Sequence, residues 1–355
     1  MKPLTKKLLI TSSCLMAAGA LLIGAGYALG GWPGLKLTRS GLSSDSDRKE
    51  PYILRKTKID AFTKADLNIG SEADIEILLS EDENFYLEYT MNGEYGEPVW
   101  DVSDDLLSLK QNDTTIGGIY FFQMGSVSDH ESYSLRLYLP EGTVLSSLDI
   151  YNDFGSLDMK GIQTDAFSAS LDYGNLNLSS CQFETADLQL DYGNLYLKQV
   201  LTDELDAVLD YGDLEMTDCR LGRGNIELSS GDLASSSSAA DSLVVINEYG
   251  DLDLEQMTIR DADITLESGD LYFDAEGLES FTGTNEYGNA VILLHDDLDS
   301  YFFDLVTEFG ELRLPESVSG RIESDVNEMH FVKSDGSKTV KFTAESGDIE
   351  VAASH

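Results

Sequence analysis

Acidic residues recur at a fixed interval along this chain and are its clearest candidates for binding chemistry. Each stands two places before a repeated glycine, and most are separated from the next by one constant interval or by twice that interval. Carboxylate oxygens bind Ca²⁺ and Mg²⁺ and attract cationic side chains. If the fold stacks these residues on one edge, they form an acidic ladder, namely Asp153, Asp172, Asp191, Asp210, Glu248, Glu267, Glu286 and Glu308.

Two interpretations of the acidic ladder stay open. Like charges about 5 Å apart repel one another, so core burial, raised carboxylate pKa values, screening or bound cations must offset the repulsion. In the first interpretation the ladder is a solvated corner that keeps the protein soluble. In the second it binds Ca²⁺, Mg²⁺ or a cationic peptide, although the known calcium-binding solenoid repeat is a different motif. The sequence predicts no other cofactor.

Catalytic motifs are absent from the sequence. The histidines His130, His295, His330 and His355 are scattered, with no metal-binding spacing, and neither a G-x-S-x-G motif nor a phosphate-binding loop occurs. A glycan-active enzyme is the least favoured alternative. A polysaccharide lyase would need clustered basic residues, and a chance pair among so many carboxylates does not identify a hydrolase. We predict that the protein is not an enzyme.

The glycines beside the acidic residues indicate how the chain is organised. From Gly155 to Gly288 they recur at every nineteenth position, and the steps to Gly310 and then to Gly347 are longer. A fixed period of about 20 residues is typical of stacked repeats. The step from Gly310 to Gly347 divides well if Asn327 stands at a corner, because Asn tolerates the left-handed backbone that Gly supplies. This predicts eleven corners, at Gly155, Gly174, Gly193, Gly212, Gly231, Gly250, Gly269, Gly288, Gly310, Asn327 and Gly347.

Within one repeat, apolar residues alternate at steps of two, which is typical of strands. A repeat of this length is too short for a strand, a helix and two turns. We therefore predict an all-β fold, a single-stranded parallel β-solenoid with rungs of about 19 residues and about three short strands in each rung. Leu171, Leu176 and Leu178 should lie in the core, Tyr173 in an aromatic stack over the corner, and Asn175 against the turn backbone. Cys181 and Cys219, two rungs apart, should be buried free thiols.

Charge is divided unevenly along the chain. Residues 1–64 contain 11 Lys and Arg against 4 Asp and Glu, and residues 65–355 contain 12 against 61, a net charge of −49. Nucleic acid is excluded as a partner, because binding a polyanion requires basic residues. Cationic partners are expected instead.

The N-terminus has the pattern of a membrane anchor. Three lysines precede an uncharged stretch at residues 8–29, which is long enough to span a bilayer as one helix. We predict residues 1–29 as a cytoplasmic tip and transmembrane signal anchor, with a long cleaved signal as the alternative. Residues 30–60 read as a flexible basic tether, 61–150 as an N-terminal capping β segment and 151–355 as the regular repeats. The chain ends directly after a rung, so a homodimer through this C-terminal edge of the solenoid is a further expectation.

Several segments together resemble a known family. After the anchor come DIEILLSEDENFYLEY, then YSLRLYLPEGTVLSSLDIYNDFGSLDM, and then repeated LDYGNL units. Over about residues 55–355 this pattern resembles the putative-adhesin family of membrane-anchored cell-envelope proteins. The resemblance implies a β-solenoid outside the membrane, with a binding or scaffold role in adhesion or envelope stress and no catalytic residues. Apart from the resemblance, we expect cationic peptides, cell-wall polymers or a membrane protein as partners. In the alternative function, the protein is a sensor arm that binds cations or cationic peptides and acts through a membrane partner.

Overall fold

A computed structural model describes residues 50–111, 132–325 and 327–354, the backbone at 34–38, 41–44 and 119–123, and Met16 and Gly19. The predicted anchor at 8–29 therefore lies outside the described residues, apart from Met16 and Gly19. Among the residues that are described, none belongs to a helix of the length and apolarity needed to cross a membrane. The described chain consists mainly of β-strands that wind around one axis.

The regular part of the solenoid has rungs of two strands each. Most of its long strands have 11 residues and most of its short strands have 4. In chain order they are β11 Val144–Phe154, β12 Leu157–Lys160, β13 Gln163–Tyr173, β14 Leu176–Ser179, β15 Gln182–Tyr192, β16 Leu195–Lys198, β17 Leu201–Tyr211, β18 Leu214–Thr217, β19 Arg220–Leu228, β20 Leu233–Ser236, β21 Ala239–Tyr249, β22 Leu252–Ser268, β23 Leu271–Glu276, β24 Ser280–Tyr287 and β25 Ala290–Leu294.

Each strand pairs in parallel with its equivalent in the next rung, so like residues stack. Leu171 pairs with Leu190, and Leu176 pairs with Leu195. These leucines are at most 1% exposed, and burying one side chain of this size contributes about 1.5–3 kcal/mol to stability. The repeated leucines therefore form the continuous core that the sequence predicts.

The predicted three strands per rung are two in the structure, because the second and third run together. Within β13 the pairing skips Asp165, and the alternation of buried residues shifts from Thr164 to Phe167. The chain bends there without leaving the sheet, so the rung still has three sides.

Capping strands precede the first regular rung. They are β1 Gly34–Thr38, β2 Gly41–Ser44, β3 Tyr52–Ile59, β4 Lys64–Glu72, β5 Asp74–Leu79, β6 Phe85–Met91, β7 Val99–Ser103, β8 Leu106–Gln111, β9 Ile119–Gln123 and β10 Ser134–Leu139. β4 and β5 form a rung in parallel with β11 and β12. β8 and β10 lie on the outer side of that rung. Antiparallel strands then cover the end, because β6 pairs with β10 and β3, and β7 pairs with β8.

The flexible tether predicted at residues 30–60 is wrong for Tyr52–Ile59. These residues form β3 because Tyr52, Leu54 and Ile59 fall on one face and pack against the core. The basic residues of this strand, Arg55, Lys56 and Lys58, are all exposed. The backbone at Gly34–Thr38 and Gly41–Ser44 also forms strands, which pair with each other.

The last rung in the sequence is not the last rung in space. The C-terminal strands are β26 Tyr301–Phe309, β27 Leu312–Arg313, β28 Arg321–Ser324, β29 Met329–Lys333, β30 Lys338–Ser346 and β31 Ile349–Ala353. β30 pairs in parallel with both β24 and β26, and β31 with both β25 and β27. The final segment is thus inserted between two rungs that were made earlier in the chain.

An antiparallel hairpin covers the C-terminal end of the solenoid. β29 pairs with β26, and β28 pairs with β29. The sequence left open whether the chain itself covers its last rung, and in the structure this hairpin covers it. A homodimer through this edge stays a prediction, and it would have to use β28, whose residues are all exposed.

Candidate functional site

The candidate site is one edge of the solenoid, the corner at which each long strand ends and each short strand begins. Nine of the predicted corner glycines have φ between +132° and +157°, a conformation that side chains other than glycine rarely adopt; they are Gly155, Gly174, Gly193, Gly212, Gly231, Gly250, Gly269, Gly288 and Gly347. Successive glycines also approach one another closely. A Cβ placed on Gly193 would lie 1.9 Å from the carbonyl oxygen of Gly174. No side chain fits there.

The tenth and eleventh places in this column differ from the prediction. Gly310 stacks on Gly347, and Gly347 stacks on Gly288, so Gly347 lies between them in space. Ala73 occupies the first place, below Gly155. The assignment of Asn327 to a corner is wrong, because Asn327 lies in the connection of the β28–β29 hairpin. The chain between Gly310 and Gly347 contains this hairpin and one rung instead of two rungs.

Residues one place after the glycines form an unbroken hydrogen-bonded column. The backbone N–H of Asn194 donates to Oδ1 of Asn175 at 2.9 Å, and the N–H of Asp213 donates to Oδ1 of Asn194 at 2.9 Å. Equivalent bonds continue through Asp232, Asp251, Asp270, Asn289, Asp348 and Glu311. Asp and Asn are frequent here because each side chain satisfies the turn backbone of the next rung.

Aromatic rings form a second column one place before the glycines. Phe154, Tyr173, Tyr192 and Tyr211 stack with centroids 5.0–5.1 Å apart and planes within 5° of parallel. Between 43% and 54% of each of these residues is exposed. The rings thus lie over the corner and present their edges to solvent.

Beyond Tyr211 the aromatic column changes to an alternating pattern. In spatial order the residues are Tyr211, Ser230, Tyr249, Ser268, Tyr287, Ser346 and Phe309. Tyr249, Tyr287 and Phe309 are 58–60% exposed, more than the stacked tyrosines. The increase follows from the serines, which are too small to cover the faces of the neighbouring rings.

Buried residues beneath the alternating aromatic residues alternate as well. Asn247 and Asn285 lie two places before Tyr249 and Tyr287, and their amides donate to the carbonyl oxygens of corner glycines. The serine rungs place Leu228 and Leu266 at that position, both buried. From Leu228 onward the structural repeat is therefore two rungs, which the glycine period alone did not indicate.

The carboxylates two places before the glycines lie beside the rings along the same edge. Asp210, Glu248, Glu267, Glu286 and Glu308 are exposed, and Asp153, Asp172 and Asp191 are half-buried. Burial and the neighbouring charges of Asp153 and Asp191 raise the pKa of Asp172 above its ordinary value. This is the like-charge repulsion expected of a ladder.

A convergent metal-binding cluster is missing from the described parts of the chain. They contain no group of three or more His, Cys, Asp or Glu side chains that could hold an ion. The ladder carboxylates are spread along the axis and do not converge on one point. The interpretation of the ladder as a Ca²⁺ or Mg²⁺ site therefore lacks a convergent donor set.

Nor do the histidines come together. His295 contacts Asp274 at 2.8 Å, and His330 contacts Asp304 at 2.8 Å, in separate rungs. His130 and His355 lie outside the described residues. Cys181 and Cys219 are buried and free, as predicted, and burial raises the pKa of both thiols.

A second corner was missed in the sequence. Six places after the first glycines, Gly161, Ser180, Gln199, Asp218, Ser237 and Gln256 all have φ between +52° and +70°. The signal there is weak, since only Gly161 and Asp218 are residue types that readily adopt a left-handed backbone. The backbone N–H of Gln199 donates to the carbonyl of Thr217, so stacking with the next rung holds this conformation.

Solved structures and one protein family are similar to this chain. A search of curated proteins finds no match. Among solved structures, a putative lipid binding protein from Parabacteroides distasonis ATCC 8503 is 15% identical, with 85% of this chain and 97% of that chain covered and a TM-score of 0.42. A putative adhesin from Parabacteroides merdae ATCC 43184 is 9% identical, with coverage of 85% and 96% and a TM-score of 0.42.

A putative cell adhesion protein from Clostridium sporogenes ATCC 15579 is 12% identical, with coverage of 86% and 100% and a TM-score of 0.22. Likeness at these TM-scores carries no argument about the ligand. The family model is decisive, because the model of the Toastrack DUF4097 family matches residues 63–209 and 193–352. The matches span the β4–β5 rung, the regular repeats and the inserted final rung, so this chain belongs to the Toastrack DUF4097 family.

Proposed function

We propose that this protein is a non-enzymatic binding rod of the cell envelope, and that its acidic corner edge binds cationic peptides. One observation supports the proposal most directly. Carboxylates, aromatic rings and Asx side chains run side by side along the same edge through the regular rungs, in a segment with a net charge of −49. Such an edge creates a continuous negative potential along the rod, which attracts a cationic polymer.

The proposed attraction is electrostatic, so it should weaken with salt. We expect the affinity for a cationic peptide to fall steadily between low salt and about 0.5 M NaCl, because salt screens exposed charges. The test is a binding titration of the full-length chain in non-ionic detergent at several NaCl concentrations. Affinity that is independent of salt would contradict the proposal.

A matched pair of variants locates the binding. The ladder variant carries Asp210→Asn, Glu248→Gln, Glu267→Gln and Glu286→Gln. The control variant removes the same number of exposed charges from the bend within the long strands, with changes at Asp165, Glu184, Asp203 and Asp241. We expect the ladder variant to lose much more affinity than the control. Equal losses would show that only net charge matters.

Attachment to the membrane is a separate proposal that rests on the sequence. Residues 8–29 would anchor the chain with its N-terminus in the cytoplasm and its solenoid on the extracytoplasmic side. The experiment is fractionation of cells that express the full chain or a chain beginning at residue 30. Full-length chain in the soluble fraction would contradict the anchor. A role as a sensor arm would further require that a membrane protein co-purifies with residues 1–29.

A further inference from the structure

The alternating part of the aromatic column leaves gaps that the stacked part does not have. Between Tyr211 and Tyr249 the intervening residue is Ser230, and between Tyr249 and Tyr287 it is Ser268. A third gap lies between Tyr287 and Phe309, with Ser346 at its base. We call these three gaps the ring slots. Each is bounded by exposed rings and has a serine as its floor.

The width of a ring slot suits a cation. Adjacent rings of the stacked column are 5.0 Å apart, so residues two rungs apart are separated by about 10 Å, twice the spacing of neighbouring strands. A cation midway between two such rings lies about 5 Å from each centroid, within the range of about 6 Å for a cation–π interaction.

Carboxylates flank the middle slot on both sides, whereas Ser229 precedes the floor of the first slot and Asp348 at the third slot is ion-paired with Arg313. Beside the middle slot, Glu267 precedes Ser268 and is exposed, and Asp270 follows Gly269 and is also exposed. Asp270 uses Oδ1 to accept the backbone N–H of Asn289, and its second oxygen has no bond in the described structure. A positive charge in the slot would therefore meet both ring faces and carboxylate oxygens. This combination of aromatic faces and negative charge favours a guanidinium over a neutral group.

The spacing of the slots selects a backbone conformation for the ligand. Successive slots repeat at about 10 Å along the axis, twice the strand spacing. A polyproline II helix repeats every three residues, at about 9.3 Å. In an extended β-strand, side chains on one face repeat every two residues, at about 6.6 Å. Arginines at every third position of a polyproline II peptide can therefore enter all three slots, and the flexible side chains absorb the small mismatch.

We propose that the three ring slots bind cationic peptides in the polyproline II conformation, with an arginine at every third residue. This inference rests on the proposed function and deepens it, since it names the site and the spacing of the cations. Tyr173 and Tyr192 would contribute charge-independent edge contacts only, because both faces of each ring are covered by neighbouring rings.

The test compares two peptides of equal composition. The first repeats Arg-Pro-Pro three times, and the second has three adjacent arginines followed by six prolines. We expect the full-length chain in detergent to bind the first peptide about tenfold more tightly, because only its cations match the slots. Isothermal titration calorimetry at constant ionic strength measures both affinities.

Slot-filling and slot-opening variants provide the matched controls. Ser268→Tyr fills the middle slot with a ring, continuing a stack that four aromatic residues already form elsewhere in the column. It adds an aromatic residue and leaves the charge unchanged, yet we expect it to reduce the preference for the first peptide, because only two of the three slots stay open. Tyr192→Ser opens a slot between Tyr173 and Tyr211 and should increase the number of arginines bound. Melting temperatures of both variants establish that they fold.

The outcomes separate the slots from the proposed function. If neither peptide binds the unaltered protein, the proposed function fails together with the slots. If both peptides bind equally and Ser268→Tyr has no effect, the edge binds by charge alone, which overturns the slots and leaves the proposed function in place. Preference for the first peptide that is reduced in Ser268→Tyr supports both.

Discussion

At the scale of single residues, the corner glycines are necessary because of the backbone of the adjacent rung. Positive φ alone costs about 1–2 kcal/mol for a residue with a Cβ. At Gly193 the added Cβ would also overlap the carbonyl oxygen of Gly174 at 1.9 Å. A residue with a Cβ is therefore disfavoured in this column for two reasons, backbone strain and overlap with the adjacent rung. At an isolated turn glycine only the backbone strain applies.

We predict that Gly193→Ala lowers the free energy of unfolding by more than about 3 kcal/mol, since the rungs must separate to admit the methyl group. Chemical denaturation of the solenoid measures this. Gly142→Ala is the control, because Gly142 has φ of +77° with no atom within 4 Å of the added Cβ. We expect it to cost about 1 kcal/mol. Equal effects would mean that the close approach is unimportant.

Charge repulsion in the ladder should be visible at one aspartate. Burial and the neighbouring carboxylates raise the pKa of Asp172 above 3.8, its ordinary value. The folded state therefore binds the proton more tightly than the unfolded state. This contribution is fully present below about pH 3.8 and is lost as pH rises through the folded pKa, so the charged form is destabilising at neutral pH.

Asp172→Asn should consequently raise the melting temperature at pH 7, and the difference from the unaltered protein should shrink as the pH approaches 4. Thermal unfolding followed by circular dichroism at several pH values tests this. Asp165→Asn is the control, because Asp165 is exposed at the bend of the long strand, away from the ladder. A melting temperature that falls in Asp172→Asn at pH 7 would contradict the repulsion.

At the scale of elements, the inserted final rung is the least expected feature. β30 lies between β24 and β26, although it follows both in the sequence. Its interior residues include Val340 and Phe342, and β31 adds Ile349 and Val351, all at most 1% exposed. These side chains pack against the rungs on either side, so the C-terminal segment connects two rungs that were formed earlier in the chain.

In a chain that ends at residue 337, the loss of stability should therefore extend to the rungs on either side of the missing one. Burial of each of the four side chains contributes about 1.5–3 kcal/mol, and β24 and β26 would lose their shared partner. We expect fast hydrogen exchange across residues 280–333 and slow exchange across 163–217. The control lacks only residues 354 and 355. A synthetic peptide of residues 338–353 should restore protection in trans, and protection that is unchanged by the truncation would contradict the shared-partner role.

At the scale of the whole molecule, the net charge of −49 on residues 65–355 destabilises the folded state through repulsion between like charges. Self-repulsion of this kind weakens as salt screens the charges. We predict that the melting temperature rises with NaCl, and rises equally in CaCl₂ or MgCl₂ at matched ionic strength. The second expectation follows from the ladder geometry, because its carboxylates do not converge on one ion. A rise of many degrees specific to divalent cations would instead restore the metal-binding interpretation of the ladder.

The repeat itself was predictable from the sequence for a simple reason. A parallel solenoid makes every rung face the same neighbours, so each position imposes the same requirement once per turn. Gly174, Gly193 and Gly212 each lie against the equivalent backbone of the preceding rung. Leu171 and Leu190 occupy equivalent positions in the core, and the side chains of Asn175 and Asn194 each accept a hydrogen bond from the turn of the next rung. The period, the all-β fold, the stacked rings and the position of the acidic edge all follow from this local repetition.

Features that depend on contacts between distant segments could not be predicted in this way. Asn327 has suitable spacing and a suitable residue type for a corner, yet it lies in the β28–β29 hairpin. After Leu312–Arg313 the chain forms this hairpin instead of another rung, and it then returns to pair as β30 beside β26. The corner at Gln199 is left-handed because the next rung holds it so.

Sequence alone determined the period, the buried positions and the glycine corner of each rung, since these recur in every repeat. The order of the last rungs and the slots between Tyr249 and Tyr287 were decided by the tertiary structure, because only stacking determines which rungs become neighbours and which ring faces stay uncovered.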